Sequence, residues 1–147
     1  YGQTKALAES LFLTANTIFP HGPRFSVVRY GNVWQSTGSI VPTWRSLIAA
    51  GAGSVPVTDP DCTRFFMRLG EAVDLVLGTL AVMQGGEVEV PRLPAYRVAD
   101  LAAAMKVATR VTGLRQWEKM HESMTDGVRS DLARRMSVAE LKEELAK

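Results

Sequence analysis

The fold of this chain is decided by the stretch FSVVRYGNVWQSTGSIVP, residues 25–42. Its first four residues have the length and β-branched content of a buried strand. The stretch then breaks at residues 29–32 into a segment rich in Gly, Ser, Thr and Asn. Open α/β sheets bind ligands where a parallel strand ends in such a polar loop. An ordinary strand and turn would have the same pattern, so a ligand crevice is predicted only because later segments supply charged groups.

The segments around this stretch alternate between helical and extended patterns. A helix with one buried face is predicted over residues 4–19, where apolar side chains recur at helical spacing. Further helices are predicted over residues 41–50, 71–83 and 99–105, and extended segments at residues 55–57, 64–67, 87–90 and 108–112. Ser137 and Glu140 have the spacing of a capping box before a last helix. The pattern is that of an α/β protein.

The composition of the chain excludes several classes of function. The 147 residues are one domain's worth, and the net charge of +2 comes from scattered basic residues, which argues against a nucleic-acid partner. Cys62 is the only cysteine, so neither an intrachain disulfide nor a thiolate metal cluster is expected. No apolar run has the length of a membrane span, and we therefore expect no membrane partner and a cytoplasmic location. The chain begins with Tyr1 inside a helical pattern, and we expect it to be part of a longer protein.

Tyr1 and Lys5 are the first candidate pair for chemistry. On a helix, residues at i and i+4 share a face, and an ammonium beside a phenol favours the ionised phenol. Such a pair can act as a general acid and base, or hold a cofactor ribose by hydrogen bonds. The Tyr-x-x-x-Lys spacing is common by chance, and alone it is equally consistent with a helix surface.

Arg64 and Arg115 are the second set of candidates. A guanidinium group binds phosphate through two parallel hydrogen bonds, which suits a diphosphate, although an isolated arginine more often forms a surface salt bridge. His121 and Glu122 are adjacent in sequence and would not converge on one metal ion if they lay on a helix, so no metal site is predicted. A Gly-x-Gly-x-x-Gly dinucleotide loop does not occur in the 147 residues.

Taken together, six segments resemble the extended short-chain dehydrogenase/reductase superfamily, in particular its UDP-N-acetylglucosamine 4,6-dehydratases and related epimerases of bacterial polysaccharide biosynthesis. The matching segments are YGQTK (1–5), FSVVRYGNV (25–33), STGSIVP (36–42), VTDPDCTRFFM (57–67), EVEVPRLPAYRVADLA (87–102) and GLRQWEKMHE (113–122). The resemblance implies the carboxyl-terminal part of a Rossmann-type fold with its small substrate-binding subdomain. Residues 1–40 would be the last helix and strand of the dinucleotide-binding core, and residues 41–147 mostly the substrate-binding part.

The resemblance also implies a role for each matching residue. Tyr1 and Lys5 would be the catalytic tyrosine and lysine and would contact the cofactor, NADP or NAD, together with Val33. Substrate-binding residues would be Asn32, Val41, Arg64, Arg115 and Glu118. The chain departs from the family at Gln116-Trp117, where Pro-Gly is usual, and an indole at a backbone position with positive φ would be strained.

The implied activity is a dehydration of a UDP-sugar without net consumption of the nicotinamide cofactor. Hydride leaves C4, water is lost across C5–C6 of the 4-keto sugar, and hydride returns at C6. The Gly-rich cofactor loop and the Thr-Asp-Lys segment of the family would lie before Tyr1, so the chain alone is expected to be inactive and the full-length protein to be a homo-oligomer. Two alternatives stay open: a UDP-sugar epimerase, either a 4-epimerase or a combined dehydratase and epimerase, and a non-catalytic nucleotide-sugar binding remnant.

Overall fold

The computed structural model describes residues 2–147, and the first residue, Tyr1, lies outside this range. The elements in chain order are α1 (Gly2–Ile18), β1 (Val27–Val28), α2 (Ile40–Ala49), β2 (Ser54–Val57), β3 (Thr63–Phe65), α3 (Leu69–Val82), β4 (Val88–Glu89), β5 (Ala95–Arg97), α4 (Val98–Ala104), β6 (Ala108–Val111), β7 (Ser123–Thr125), β8 (Val128–Arg129) and α5 (Val138–Leu145). The predicted α/β class is confirmed, with parallel pairing in two of the sheets.

The chain divides into two compact units that are interleaved in sequence. The first unit contains the described residues up to Tyr30 and the segment Gly70–Pro91. The second unit contains Gly31–Leu69 and Arg92–Lys147. The functional division at residue 40 therefore stays a prediction, because the compact units do not follow a single boundary.

The first unit is a helix and strand pair completed by a later helix and strand. β1 pairs in parallel with β4, with Val27 opposite Val88. The side chain of Asn16 on α1 ties the helix to the segment before β1, because it both donates to the Phe25 carbonyl and accepts from the Phe25 N–H at 2.9 Å. Arg29, just after β1, forms a two-point ion pair with Glu9 of α1, which lowers the pKa of that carboxyl. Polar contacts thus fix the helix against the strand.

The apolar faces of α1 and α3 differ from the prediction. Both helices form where the spacing of apolar residues predicts them, but α1 has no buried residue and α3 buries only Ala72. Leu7 and Leu11 of α1 and Leu80 of α3 are all more than 60% exposed. The prediction of a buried face on residues 4–19 is therefore wrong for this chain, because helical spacing shows which side chains share a face and does not show what covers it.

The second unit holds the hydrophobic core. β2 pairs in parallel with β6, β3 pairs with β5 in antiparallel orientation, and β7 and β8 form a short antiparallel hairpin. The core includes Trp44 of α2, Val55 of β2, Leu101 of α4 and Leu141 of α5, each at most 2% exposed. Trp44 and its neighbours place α2 against β2, so the residues just before α2 lie at the edge of this core.

Two further details of the second unit concern Cys62 and the start of α5. Cys62 is a buried packing residue within the core. At the start of α5 the Glu140 N–H donates to the Ser137 hydroxyl at 3.2 Å, and the Ser137 N–H donates to the Glu140 carboxylate at 2.7 Å. This is the predicted capping box, and it satisfies N–H groups that the first turn of a helix leaves without acceptors.

Candidate functional site

A cleft of about 320 Å³ lies in the second unit, where the polar loop meets β3 and β5. It is lined by Asn32, Val33, Trp34, Gln35, Ser36, Thr37, Gly38, Ser39, Ile40, Val41, Arg64 and Tyr96. Ten of these twelve residues belong to the single segment 32–41 that ends at the first turn of α2. The loop predicted to form a crevice therefore forms most of the cleft wall.

The close approach of the chain to β3 just before this loop depends on Gly31. A Cβ atom added to Gly31 would lie 2.6 Å from Cβ of Phe65, a residue of β3 that is 1% exposed. Two residues later, Val33 forms a parallel bridge with Met67, and the Trp34 N–H donates to the Met67 carbonyl at 2.7 Å. Only glycine allows the chain to approach β3 this closely before the loop begins.

Arg64 lies opposite Tyr96 in the β3–β5 pair and is fixed by protein acceptors. Its Nη1 donates to the carbonyls of Thr63, at 2.8 Å, and Met120, at 3.0 Å, and its Nη2 donates to Glu118 Oε1 at 3.2 Å. These bonds use three of the five guanidinium N–H groups and leave Nε–H and one Nη2–H as donors. The two remaining donors can contact an anion.

Glu118 contacts protein groups in this structure. Its Oε1 accepts from Arg64 and also from the Thr58 hydroxyl at 2.8 Å, and its backbone N–H donates to the Arg115 carbonyl at 2.9 Å. Glu118 therefore orients Arg64, and a direct contact between Glu118 and a substrate stays a prediction. The guanidinium of Arg115 is exposed, and Arg115 is not among the residues that line the cleft.

Glu122 does not line the cleft but contacts the lining residue Asn32, and the sequence did not indicate this function. Its Oε1 accepts from the side-chain amide of Asn32 at 2.9 Å, and its Oε2 accepts from the Phe65 N–H at 2.8 Å. Burial raises the pKa of the Glu122 carboxyl, while the Phe65 N–H and the nearby Arg64 charge act in the opposite direction. Glu122 thus joins the loop residue Asn32 to the backbone of β3.

A buried hydroxyl network lies behind Glu122. The Ser130 hydroxyl, which is fully buried, accepts from the Glu122 N–H at 2.8 Å and lies 2.6 Å from the Thr63 hydroxyl. The Thr63 hydroxyl also lies 2.8 Å from Nδ1 of His121. His121 is therefore a hydrogen-bonded structural residue, and the described residues 2–147 contain no cluster of three His, Cys, Asp or Glu side chains that could hold a metal ion.

Tyr96 closes the cleft beside the loop and is also missing from the predicted site. It is 4% exposed, and Trp34 packs edge-on against it with ring centroids 5.8 Å apart. Burial and the Glu122 charge raise the pKa of the Tyr96 phenol far above its ordinary value, with Arg64 opposing them. Tyr96 is therefore a neutral phenol in this site, suited to hydrogen bonding and not to accepting a proton.

The carboxyl end of α5 supports the cleft loop from behind. Trp34 Nε1 and Gln35 Nε2 donate to the Glu144 carbonyl at 3.4 and 3.3 Å, and Arg45 of α2 donates to the Leu145 carbonyl at 2.7 Å and to Gln35 Oε1 at 2.9 Å. Gln35 has a φ of 57°, a left-handed conformation unusual for a side-chain-bearing residue. The hydrogen bonds from both sides of its amide stabilise this conformation, which shapes the loop.

The same helix contributes a pH-dependent contact. The Glu144 carboxylate, in a residue 6% exposed, accepts from Arg68 and from Lys147, and these bonds lower the pKa of Glu144 to about 2. A carboxyl whose pKa is lower in the folded state stabilises the fold above its unfolded pKa and loses that contribution as the pH falls toward the folded pKa. The contribution of Glu144 should therefore disappear between about pH 5 and pH 2.

We expect Glu144→Gln to destabilise the second unit by about 1–2 kcal/mol at pH 7 and to have little effect near pH 2. Urea unfolding followed by tryptophan fluorescence measures this, because Trp34, Trp44 and Trp117 all belong to the second unit. Glu143→Gln, on an exposed residue of the same helix, is the matched control. A difference between wild type and Glu144→Gln that is the same at both pH values would contradict the assignment.

The remaining predicted residues lie at different places. Lys5 is on the exposed surface of α1 in the first unit, and Tyr1 is outside the described residues. Val41 lines the cleft, but its side chain is fully buried, so it can shape the cleft only by packing against neighbouring residues.

The strain expected if Trp117 had a positive φ does not occur. Outside glycine, positive φ within residues 2–147 occurs only at Gln35 and Lys106. Trp117 is 79% exposed and is not in the left-handed conformation.

The described residues suit only one end of a nicotinamide dinucleotide. Val33 presents a half-buried apolar side chain to the cleft, which is chemically compatible with the face of a nicotinamide ring. A dinucleotide diphosphate is normally bound by a Gly-rich loop, and the 147 residues contain no Gly-x-Gly-x-x-Gly loop.

Within residues 2–147, none of the helices has both the length and the apolarity that crossing a membrane requires.

The fold and the comparison with solved structures define the class: this is an α/β protein of the Rossmann-type short-chain dehydrogenase/reductase class. Over 99% of the chain it superposes on 56% of Pen from Bacillus thuringiensis, with a TM-score of 0.89 and 27% identity. Residues 1–141 match the family described as polysaccharide biosynthesis protein, and the chain belongs to that family. The predicted superfamily is thereby confirmed.

Two relatives of known activity are similar to this chain in sequence. The chain is 42% identical over 127 residues to the inverting UDP-N-acetylglucosamine 4,6-dehydratase of Campylobacter jejuni, and 37% identical over 130 residues to a UDP-glucose 4-epimerase of Rickettsia typhi. Each match covers 84% of this chain and 38% of the relative. The chain thus spans well under half the length of these relatives. A structure of RMD from Pseudomonas aeruginosa complexed with NADPH shares the fold, with a TM-score of 0.56 over 95% of this chain at 18% identity.

Proposed function

We propose that this chain is the substrate-binding part of a nucleotide-sugar 4,6-dehydratase that acts on UDP-N-acetylglucosamine in polysaccharide biosynthesis. The observation that carries the proposal is the cleft of the second unit, which brings Asn32, Val33, Val41 and Arg64 together. These four residues come from two segments more than twenty positions apart, and by the resemblance of the sequence each would match a ligand-binding position of the family. The 42% identity to an inverting dehydratase of that substrate supports the same assignment.

The diphosphate of the substrate would bind between Arg64 and the start of α2. The first N–H groups of a helix lack intrahelical acceptors, and the helix dipole favours an anion there. Ser39, directly before α2, has a buried hydroxyl oxygen without a hydrogen-bond partner among the described residues, and it lines the cleft. The two remaining donors of Arg64 would complete the phosphate contacts. The predicted contact of Arg115 with the uridine end belongs to the same proposal, as does that of Glu118.

The chemistry would be carried by Tyr1 and Lys5. A bound nicotinamide cofactor, NADP or NAD, would supply the chemistry of reversible hydride transfer between C4 and C6 of the sugar. Tyr1 would accept the proton of the C4 hydroxyl as hydride leaves, and Lys5 would favour the ionised phenol. We further propose that most cofactor contacts and the C5 dehydration residues lie outside this chain, that the chain alone is inactive, and that the full-length enzyme is a cytoplasmic homo-oligomer.

A UDP-sugar 4-epimerase is the second candidate, favoured by the 37% identity to the Rickettsia typhi enzyme. Both reactions begin with oxidation at C4, so the product distinguishes them. A dehydratase converts UDP-N-acetylglucosamine into a 4-keto-6-deoxy sugar, and an epimerase only inverts the configuration at C4. Incubating the full-length enzyme with UDP-N-acetylglucosamine and, separately, with UDP-glucose, followed by mass spectrometry and NMR of the product, decides between them.

The binding role of Arg64 gives the test of the proposed site. We expect Arg64→Ala in the full-length enzyme to raise KM by about ten- to a hundredfold and to change kcat little, because a charge-assisted hydrogen bond contributes roughly 1.5–3 kcal/mol. Arg64→Lys should raise KM by less than Arg64→Ala does, because an ammonium keeps the positive charge but cannot form two parallel hydrogen bonds to a phosphate. Arg92→Ala, a matched change outside the cleft lining, should leave KM unchanged. An unchanged KM in Arg64→Ala would rule out the diphosphate site.

A further inference from the structure

The contact between Asn32 and Glu122 determines which groups Asn32 has left to offer a ligand. Asn32 is exposed at the cleft, and its Nδ2 donates to Glu122 Oε1 at 2.9 Å. Glu122 cannot turn away, because its other oxygen accepts from the Phe65 N–H at 2.8 Å and its own N–H donates to the buried Ser130 hydroxyl at 2.8 Å. Glu122 is thus held through its carboxylate by Phe65 and through its backbone N–H by Ser130, and its second carboxylate oxygen in turn fixes the Asn32 amide.

A carboxylate with both oxygens accepting enforces one orientation of the asparagine. The carbonyl oxygen Oδ1 of Asn32 would be repelled at 2.9 Å from an acceptor, so the nitrogen must face Glu122. The carbonyl oxygen of Asn32 then remains as an acceptor for the ligand. The negative charge of Glu122 beside the amide nitrogen also disfavours a phosphate at this position.

We propose that Glu122 is a positioning residue that holds Asn32 as a hydrogen-bond acceptor, and that Asn32 therefore binds a hydroxyl or N–H group of the nucleotide sugar and not its diphosphate. The inference rests on the proposed function for the identity of the ligand, and on the geometry of Glu122 for the chemistry of the contact. It assigns Arg64 and Asn32 to different parts of the same ligand: Arg64 to the anionic part, and Asn32 to a neutral donor.

The test exploits the difference between a carboxylate and an amide. In Glu122→Gln only one side-chain oxygen can accept, so the Phe65 N–H and the Asn32 amide compete for it. If the bond to Phe65 is kept, the new amide nitrogen faces Asn32, and Asn32 has to turn its oxygen inward and its nitrogen toward the ligand. We expect the affinity of the full-length enzyme for UDP-N-acetylglucosamine, measured by calorimetric titration, to fall about ten- to a hundredfold.

A double variant distinguishes positioning from a general structural role. Asn32→Asp alone places two carboxylates together and should also weaken binding. Asn32→Asp combined with Glu122→Gln restores a donor–acceptor pair, keeps the acceptor for Phe65 and again presents an oxygen to the ligand. We expect this double variant to recover most of the wild-type affinity, whereas a phosphate at this position would be repelled by the new carboxylate and no recovery would occur. Glu143→Gln, on the exposed face of α5, is the control.

The outcomes separate the inference from the proposed function. If the wild type binds UDP-N-acetylglucosamine and Glu122→Gln binds equally well, the positioning role is wrong and the proposed function stands. If both single variants are weak and the folded double variant is also weak, the acceptor assignment is wrong. If Glu122→Gln does not fold, the double variant alone decides, because it has to fold and bind. A wild-type enzyme that does not bind this ligand overturns the proposed function and the inference with it.

Discussion

Replacing Tyr1 by phenylalanine is expected to lower kcat of the full-length enzyme by about a hundred- to ten-thousandfold, the range that a positioned proton-transfer group contributes. The substitution removes only the phenolic hydroxyl and keeps the aromatic ring. Tyr1 and Lys5 have the i and i+4 spacing in sequence, so the loss of the phenol would also remove the group whose ionised form Lys5 is proposed to favour. KM should change much less than kcat, the reverse of the pattern expected for Arg64→Ala.

Tyr30→Phe is the matched control for this experiment. Tyr30 lies in the first unit, is 42% exposed, and does not line the cleft, so its hydroxyl should not affect turnover. Steady-state kinetics of the three proteins with UDP-N-acetylglucosamine give the comparison. If Tyr1→Phe and Tyr30→Phe have the same kcat as the wild type, Tyr1 is not the catalytic acid and base.

Gly31→Ala should destabilise the second unit by about 2–3 kcal/mol, the upper part of the usual range for overpacking a well-packed site. The added methyl group would lie 2.6 Å from Cβ of Phe65, and a Cβ atom can move only if the backbone of β3 moves with it. Such a shift would also displace Asn32, the next residue, from Glu122. We therefore expect weaker ligand binding in addition to the lower stability.

Gly53→Ala separates a steric effect from a general effect of replacing glycine. A Cβ atom at Gly53 would have no neighbour within 4 Å, and Gly53 lies in the same unit. Alanine there should be neutral or slightly stabilising, because it reduces the freedom of the unfolded chain. Urea unfolding followed by tryptophan fluorescence measures both variants. Equal stability of Gly31→Ala and the wild type would show that β3 adapts at no cost.

Helices were the part of the fold that sequence patterns predicted best. Apolar residues at helical spacing predict α1, α2 and α3 to within a few residues, and the Ser137–Glu140 pair predicts the start of α5. The strands β5, β7 and β8 were missed because each has only two or three residues and none stands in an apolar run such as the one that marks β1. The period of a helix shows which side chains of α1 share a face, and it does not show whether that face is covered.

The candidate site divides in a similar way. Asn32 and Val41 belong to the single segment 32–41, and Arg64 stands in a segment with a recognisable family pattern, so a sequence motif could place all three at a ligand crevice. Glu122 could not be found in this manner, because its partner Asn32 lies 90 positions earlier. Tyr96 has the same difficulty, since its position opposite Arg64 depends on a strand that the sequence does not indicate.

The support that α5 gives to the cleft loop has a consequence for the order of events during biosynthesis. Trp34 and Gln35 bond to the Glu144 carbonyl across 110 and 109 positions of the chain. At roughly 5–20 residues per second, a ribosome needs about 5–20 s to add that many residues. During this interval the Glu144 carbonyl is not yet available as an acceptor for the loop. The hydrogen bond that Gln35 donates to this carbonyl therefore supports the left-handed conformation only late in synthesis. Substrate recognition would be acquired only near the end of translation of this segment.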